Sequence, residues 1–396
     1  MTIPGALDPS TAPLEVEVHV DDRAWDRLGE EWDALYSASP AAAPPLAREW
    51  MHAWWDVYGG SCGGGGSSLR LLTVRRGGAL VGLLPLYDRR CDVPLLGYHR
   101  LSFLSTGEDE IEETCPDYLD LLALPGEEAA CAVALRAFLV AAPFPWDRLD
   151  LLDAPFAAPI LAIHGWPIGY RVSATSRGGC PSANLTGGFD AWLGRLPSRK
   201  REQPRRALRE IERSGATFEV AGPSEVDVYF DDLVRLHQAR WTAVGQPGCF
   251  AAPRFCAFHR RLAHAFVPDG RAVLARLSLD GRPLAALYGF IVREQFHFYQ
   301  SGAAPDGDAR LKSPGIAAHV LLMRHLAARG VTRYDFLRGS ATYKDRLATD
   351  TTPLGALRVE RPGSKRLAYE GALIARRALH RIVRSYRRRS LAIRGG

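Results

Sequence analysis

The apolar pattern of this chain changes period in the same order twice. Each half reads as helices, a strand hairpin, a further strand, a helix and a strand, with period-two stretches giving way to period-3.6 stretches. A chain of 396 residues patterned this way fits a duplicated α/β unit better than one large domain. We expect a flexible lead at 1–13, a first unit at 14–186, a second at 187–361 and a tail at 362–396. The boundary falls near Gly187-Gly188.

In the first half, strands are expected at 14–20, 69–74, 79–87, 101–105, 117–123, 148–152, 170–176 and 182–185. Helices are expected to about residue 36, around 50–58 and over 127–142. In the second half, helices are expected at 189–196, 199–214, 224–244, 253–266 and 313–329. Strands are expected at 216–220, 272–279, 283–292, 295–301, 333–337 and 354–361. Gly77-Gly78 and Asp280-Gly281 are hairpin turns in this scheme.

Composition narrows the class. Apolar residues are 47 % and charged residues 24 %, an ordinary globular balance. No run of about 18 apolar residues occurs, and the N-terminus lacks the basic and apolar regions of a secretory signal. Seven cysteines without a CxxC disfavour a disulfide framework or zinc site, so we expect no metal and a cytoplasmic setting. The net charge of +6 is unevenly placed. Residues 361–396 hold eleven Lys or Arg and one acid, which leaves the body mildly acidic. Residues 365–389 form a basic amphipathic pattern suited either to an anionic membrane surface at the inner face or to docking on the body.

Several motifs are absent or mismatched. Nucleotide-binding GxGxxG, Walker A and HExxH motifs do not occur. Gly59-Gly60-Ser61-Cys62-Gly63 matches G-x-S-x-G but lacks the strand before and helix after that a nucleophile elbow requires. His259 and His264 are expected on a helix surface.

The informative stretch is 296–344, a strand, loop, helix and strand followed by GSATYK. The helix opening at Ser313-Pro314-Gly315 presents free amides and the positive end of a helix dipole. Pro there loses no needed donor, and Gly admits a ligand to the backbone. With Arg310 and Lys312 just before it, this is a candidate phosphate or pyrophosphate site, and equally a plain helix start. Lys312 and Lys344 are two of only four lysines beside 46 arginines. Residues 195–213 carry eight basic side chains and three acids, read as a solvated helix or as an anion-contacting face.

The run HFYQSGAAPDGDARLKSPGIAAHVLLMRHLAARGVTRYDFLRGSATYKDRL resembles the C-terminal half of the CelD/BcsL-like acyltransferases, which are GNAT-type proteins. EWMHAWWDVYGG, DYLDLL, LPSRKREQPRRALREIERSG and LVRLHQARWTAVGQPGCF follow in family order over roughly 45–360. The family is related to the Fem-type aminoacyl transferases. The resemblance implies tandem GNAT-like domains, each a mixed sheet flanked by helices. It implies transfer of an acyl group from acyl-CoA, acetyl-CoA included, to a small-molecule amine such as an amino sugar, amino acid or specialised metabolite.

By the resemblance, Ser301, Gly302, Arg310, Lys312, Ser313 and Gly315 hold the carrier, although the common Q/R-x-x-G-x-G/A signature is absent. Catalysis needs an amine base and stabilisation of the thioester oxygen. Asp335, Tyr343 and Lys344 are candidates for the chemistry. His237, Arg240 and Trp241, with Asp117 and Asp120, are candidates for the acceptor pocket; a cap, ion pair or packing role is the plain alternative for each. Two other functions fit the pattern. One is aminoacyl transfer from an aminoacyl-tRNA held by the basic segments, and the other is a non-catalytic GNAT-like scaffold in polysaccharide biosynthesis or export. Acceptor, oligomeric state and the half that holds the working site stay open.

Overall fold

A computed structural model describes residues 12–60, 66–91, 97–339 and 341–363, with 365, 368, 369 and 371. The basic tail and the centre of the Gly59–Gly63 match therefore lie mostly outside the described residues. The N-terminal half contains β1 (Leu14–His19), α1 (Ala24–Arg27), α2 (Gly29–Ala38), α3 (Arg48–Trp54), β2 (Ser67–Arg76), β3 (Ala79–Cys91) and β4 (Tyr98–Phe103). It continues with β5 (Leu122–Ala123), α4 (Glu128–Val140), β6 (Arg148–Pro155) and β7 (Arg171–Asn184).

The C-terminal half contains α5 (Phe189–Arg195), α6 (Ser198–Ser214), β8 (Thr217–Val220), α7 (Val226–Ala243), α8 (Pro253–Phe266), β9 (Ala272–Leu279) and β10 (Arg282–Val292). It ends with β11 (Gln295–Ala303), α9 (Pro314–Ala327), β12 (Arg333–Asp335), α10 (Thr342–Leu347) and β13 (Asp350–Glu360).

All the strands join one mixed sheet, ordered β1-β2-β3-β4-β6-β13-β7-β12-β11-β10-β9-β8, with β5 beside β3. The two hairpins turn where expected. Gly77 and Gly78 have φ of 55° and 84°, and Asp280 and Gly281 have 51° and 74°, as a two-residue loop between right-twisted strands requires. The halves are repeats of each other. In each, a parallel pair flanks one helix: β4 and β6 around α4, β11 and β12 around α9.

The last strand fuses the halves, because β13 lies between β6 and β7 and pairs with both. The core follows the same plan. α7 and α8 bury Phe230, Leu233, Phe255 and Phe258 in one apolar mass with Trp50, Trp54 and Leu83 of the N-terminal half, while α5, α6 and α9 cover the other face of the C-terminal sheet.

Three expectations change. The strand expected at 117–123 shrinks to Leu122–Ala123, because Tyr118 adopts φ 70° and the residues before it turn out of the sheet. The two strands expected at 170–176 and 182–185 are one, β7, since β13 pairs along it from Arg171 to Ser182. His259 is fully buried rather than on the surface: it packs tilted against Tyr299 and Phe255, each 4.4 Å between ring centres, while His264 is exposed.

Candidate functional site

The C-terminal parallel pair separates almost as soon as it forms. β11 and β12 pair only over Gln295↔Arg333, Phe296↔Tyr334 and His297↔Asp335. β11 then runs on to Ala303, and the chain after Asp335 turns away into α10. A register shift at Tyr288/Gly289 sets Phe298 opposite Gly289 and Gln300 opposite Tyr288, so Tyr299 is the extra residue of a bulge. Along residues 299–303 the edge of β11 facing the gap has no strand partner among the described residues. Interior backbone left this way is costly unless something else meets it.

The gap leads to the start of α9. Pro314 is its first residue and Ser313 its N-cap, without a side-chain cap bond. Among the described residues no side chain accepts from the amides of Gly315 and Ile316, whereas the Lys312 amide donates to Glu210 Oε2 at 3.3 Å. A Cβ added at Gly315 would meet only Ala303 Cβ, at 3.7 Å, so the protein's own packing does not demand glycine there. Arg310 is committed elsewhere: it pairs with Asp280 (2.6 Å) and Asp308 (3.1 Å). Lys312 is exposed, and Ser301 sits opposite Leu287 within the β10–β11 pair.

α7 closes one side. A Cβ at Gly302 would lie 2.4 Å from the His237 amide nitrogen, so glycine lets helix and strand touch. His237 is buried, with Nδ1 3.0 Å from Gln238 Oε1 and Nε2 3.5 Å from Cys249 Sγ. Burial pushes its imidazole down to about 4. Arg240 is exposed, and Trp241 keeps 39 % of its surface open.

The other side is the turn after β12. Tyr343 stacks on His319 (5.0 Å between centres), and burial raises its phenol to about 12 although Arg240 favours the ionised form. Lys344 is buried, which lowers its pKa, and its Nζ donates to the carbonyls of Leu337 (3.1 Å) and Arg338 (2.8 Å). That geometry pins the turn. Asp335 is also fully engaged. Its Oδ2 accepts from Tyr118 (2.6 Å) and Arg333 (3.0 Å), and its Oδ1 accepts from the Leu337 amide (2.8 Å). These bonds hold both of its oxygens in place.

The N-terminal half reaches across at this point. Asp117 accepts from the Arg338 amide (2.7 Å) and pairs with its Nε (3.2 Å); burial raises its carboxyl to about 6. Arg338 also meets Asp153 at 2.6 Å, and Arg177 meets Asp153 at 2.9 Å. Asp120 is not brought here. Its Oδ1 accepts from the neighbouring Leu121 amide (2.7 Å), and burial pushes it up to about 7. Among the described residues seven non-glycine residues have positive φ, and five of them surround this junction: Ser105, Cys115, Tyr118, Asp153 and Leu337. Backbone strain concentrates where a structure is constrained for function.

The residues that motif reading passed over lie in the same loop. Glu108, Thr114 and Tyr118 follow β4, and the acid-rich run GEDEIEE was the available signal.

The repeat makes a comparison inside the molecule. β4 and β6 pair in parallel over Arg100–Ser102 and Arg148–Asp150, as β11 and β12 do. Their gap is filled from within, since residues 115–121 enter and the Tyr118 amide donates to the Asp153 carbonyl (2.9 Å). α4 begins with acids, and Glu128 takes the Gly126 amide (2.9 Å). A closed gap with an anionic helix start repels a phosphate. α9, at the C-terminal gap, has no acid in its first turn.

Residues 198–345, which span that gap, match the model of an acetyltransferase (GNAT) domain. Solved structures agree on the fold. FemX is 13 % identical, covering 90 % of this chain and 99 % of its own, with a TM-score of 0.60. The C-terminal domain of a putative lysylphosphatidylglycerol synthetase from Agrobacterium fabrum is 14 % identical, covering 88 % and 97 %, at 0.50. A conserved protein of unknown function from Bacteroides thetaiotaomicron is 11 % identical, covering 87 % and 100 %, also at 0.50. No curated protein matches the sequence. The chain thus carries a GNAT acyltransferase fold. Among the described residues no helix is long and apolar enough to cross a membrane, and no group of His, Cys, Asp or Glu could hold a metal.

Proposed function

We propose that this protein is an N-acyltransferase of the CelD/BcsL-like kind, working in its C-terminal half. The observation that carries this reading is the opened β11–β12 pair, whose unpartnered backbone at 299–303 leads to the free Gly315 and Ile316 amides of α9. A thioester carrier laid in the gap would extend the ladder of β11. Its diphosphate would meet the α9 amides, and its carbonyl the bulge at Tyr299. The bare Cα of Gly315 suits such an approach. The carrier is acyl-CoA in this reading, and the acceptor is a primary amine entering between α7 and the turn that holds Arg338.

Aminoacyl-tRNA is the second reading of the donor, and Glu210 favours it. A carboxylate on the Lys312 amide removes one of the donors a diphosphate would use. α6 meanwhile presents Arg199, Arg205 and Arg213 as exposed cations.

The test is calorimetric titration with acetyl-CoA and longer acyl-CoAs, comparing wild type with Gly315→Trp. Micromolar to millimolar binding by wild type, abolished by the tryptophan, supports the carrier site. Equal affinity in both proteins removes it.

A further inference from the structure

We propose that Glu108 is the catalytic base of this transfer, taking the proton from the acceptor's ammonium group. The assignment rests on the acyl-transfer reading above and adds the group that reading lacks.

Four buried carboxylates at the junction are ion-paired, while Glu113 on the same loop is exposed. Asp335 is held by Arg333, Asp117 by Arg338, Asp153 by Arg177 and Arg338, and Glu112 by Arg254. Glu108 has no lysine or arginine within ion-pair distance among the described residues. Its Oε1 accepts from Trp54 Nε1 of α3 and from Thr114 Oγ1 (2.5 Å). Its Oε2 is buried and has no hydrogen-bond partner. A buried acceptor left open is costly and invites explanation. Here a donor brought by the substrate would complete it.

Its place in the fold fits. Thr114 binds Glu108 through its hydroxyl, and its carbonyl accepts from Tyr299 Oη (2.5 Å). Glu108 is therefore one residue removed from the side chain of the β11 bulge, on the face that also carries Cys249 and His237. The N-terminal half supplies it, on the loop that follows β4.

The surrounding groups leave Glu108 free to titrate near neutrality. Burial raises its carboxyl to about 7, against the lowering effect of Thr114 and Trp54. Glu113 and Cys115 flank it on the loop, and burial pushes the thiols of Cys115 and Cys249 up to about 12. Tyr299 is raised, and His259 behind it is lowered, both by burial. Arg89 donates to the neighbouring Gly107 carbonyl (2.9 Å), and Arg254 pairs with Glu112. Asp117 also titrates, at about 6, but has no bond to Thr114.

The step balances. The ammonium passes one proton to Glu108 Oε2, and the neutral amine attacks the thioester carbonyl. A C–N bond forms and the C–S bond breaks. The nitrogen loses its second proton, the departing thiolate takes up the proton from Glu108, and one proton leaves to solvent.

The experiment follows free-thiol release from acetyl-CoA and longer acyl-CoAs with glucosamine, lysine or ethanolamine as acceptor, over pH 5–9. Wild type, Glu108→Gln and Thr114→Val are compared, with acetyl-CoA affinity measured in parallel. Glu108→Gln should bind acetyl-CoA as wild type does, lose transfer by about 10²–10⁴-fold and lose the acid limb of the profile. Thr114→Val removes a bond that stabilises the carboxylate, so its acid limb should move to higher pH with transfer retained. Full transfer by Glu108→Gln, or an unmoved limb in Thr114→Val, overturns the assignment.

Infrared spectroscopy reads Glu108 without turnover. The carboxyl band absent from Glu108→Gln should titrate near neutrality and move to lower pH with an accepted amine. No movement with any of the three amines overturns the proposal. Failure of wild type to bind acyl-CoA instead removes the carrier reading and leaves the infrared result standing.

Discussion

Replacing Arg338 with methionine tests the seam between the halves. The guanidinium meets Asp117 at 3.2 Å and Asp153 at 2.6 Å, and both carboxylates keep about 3 % of their side-chain surface exposed. Removing one partner from a buried ion pair costs roughly 3–5 kcal/mol. The lower end applies, because Asp153 retains Arg177, Asp117 retains the Arg338 amide and the guanidinium itself is 22 % exposed. We expect a loss of about 3 kcal/mol at pH 8.

The pH dependence is the sharper part. Asp117 is raised to about 6 in the folded protein, above its ordinary value, so the folded state holds the proton more tightly than the unfolded one. Its contribution is therefore fully present at low pH and is lost as pH rises through 6. Without Arg338, the largest influence lowering that carboxyl, the folded value rises further. At roughly 1.36 kcal/mol per pH unit, the gap between variant and wild type opens over about two units above pH 6. Urea unfolding followed by tryptophan fluorescence at pH 5 and pH 8 reads both numbers. An equal loss at both pH values would refute the electrostatic account and leave packing as the cause.

Three other perturbations address separate parts of the site. Gly302→Ala places a methyl 2.4 Å from the His237 amide and 2.6 Å from Leu236 Cβ, and should cost about 2–3 kcal/mol of stability in a denaturant titration. Glu210→Gln removes the carboxylate at the Lys312 amide and should tighten acetyl-CoA binding by about 3–10-fold in calorimetry, roughly the scale of one charge at a helix terminus. His319 is held by burial at about 3, below its ordinary value, so its contribution is present above 6.5 and lost as pH falls. His319→Phe should flatten the stability profile by about 2 kcal/mol between pH 6.5 and 5, measured by thermal denaturation.

What could be read from the sequence was local. Gly77-Gly78 and Asp280-Gly281 announce hairpins because few other pairs take positive φ twice in succession, and Pro314 announces a helix start. Residues 117–123 look like a strand in sequence, yet residues 115–121 plug a gap, which depends on strands β4 and β6 being far apart in sequence and adjacent in space. His259 lies on a helix face that looks partly polar, and only the arrival of Trp50 from one half and Tyr299 from the other buries it. The same reason hides Glu108. Its neighbours Trp54, Thr114 and Tyr299 come from three segments, and nothing in GEDEIEE distinguishes Glu108 from the exposed acids beside it.

The duplication explains why two halves serve one gap. In the first repeat the segment that closes the parallel pair is the same segment that reaches the second repeat. Tyr118 donates its amide to Asp153 at home and its hydroxyl to Asp335 across the seam. Asp117, one residue earlier, accepts from Arg338 in the turn that bounds the open gap. Filling the first gap therefore fixes the geometry of the second, and the strained backbone at Cys115, Tyr118, Asp153 and Leu337 is shared between plug and turn. Without the plug, Tyr118 and Asp117 would not reach Asp335 and Arg338 in this way. The plugging of the first gap and the shaping of the turn beside the second are one structural arrangement.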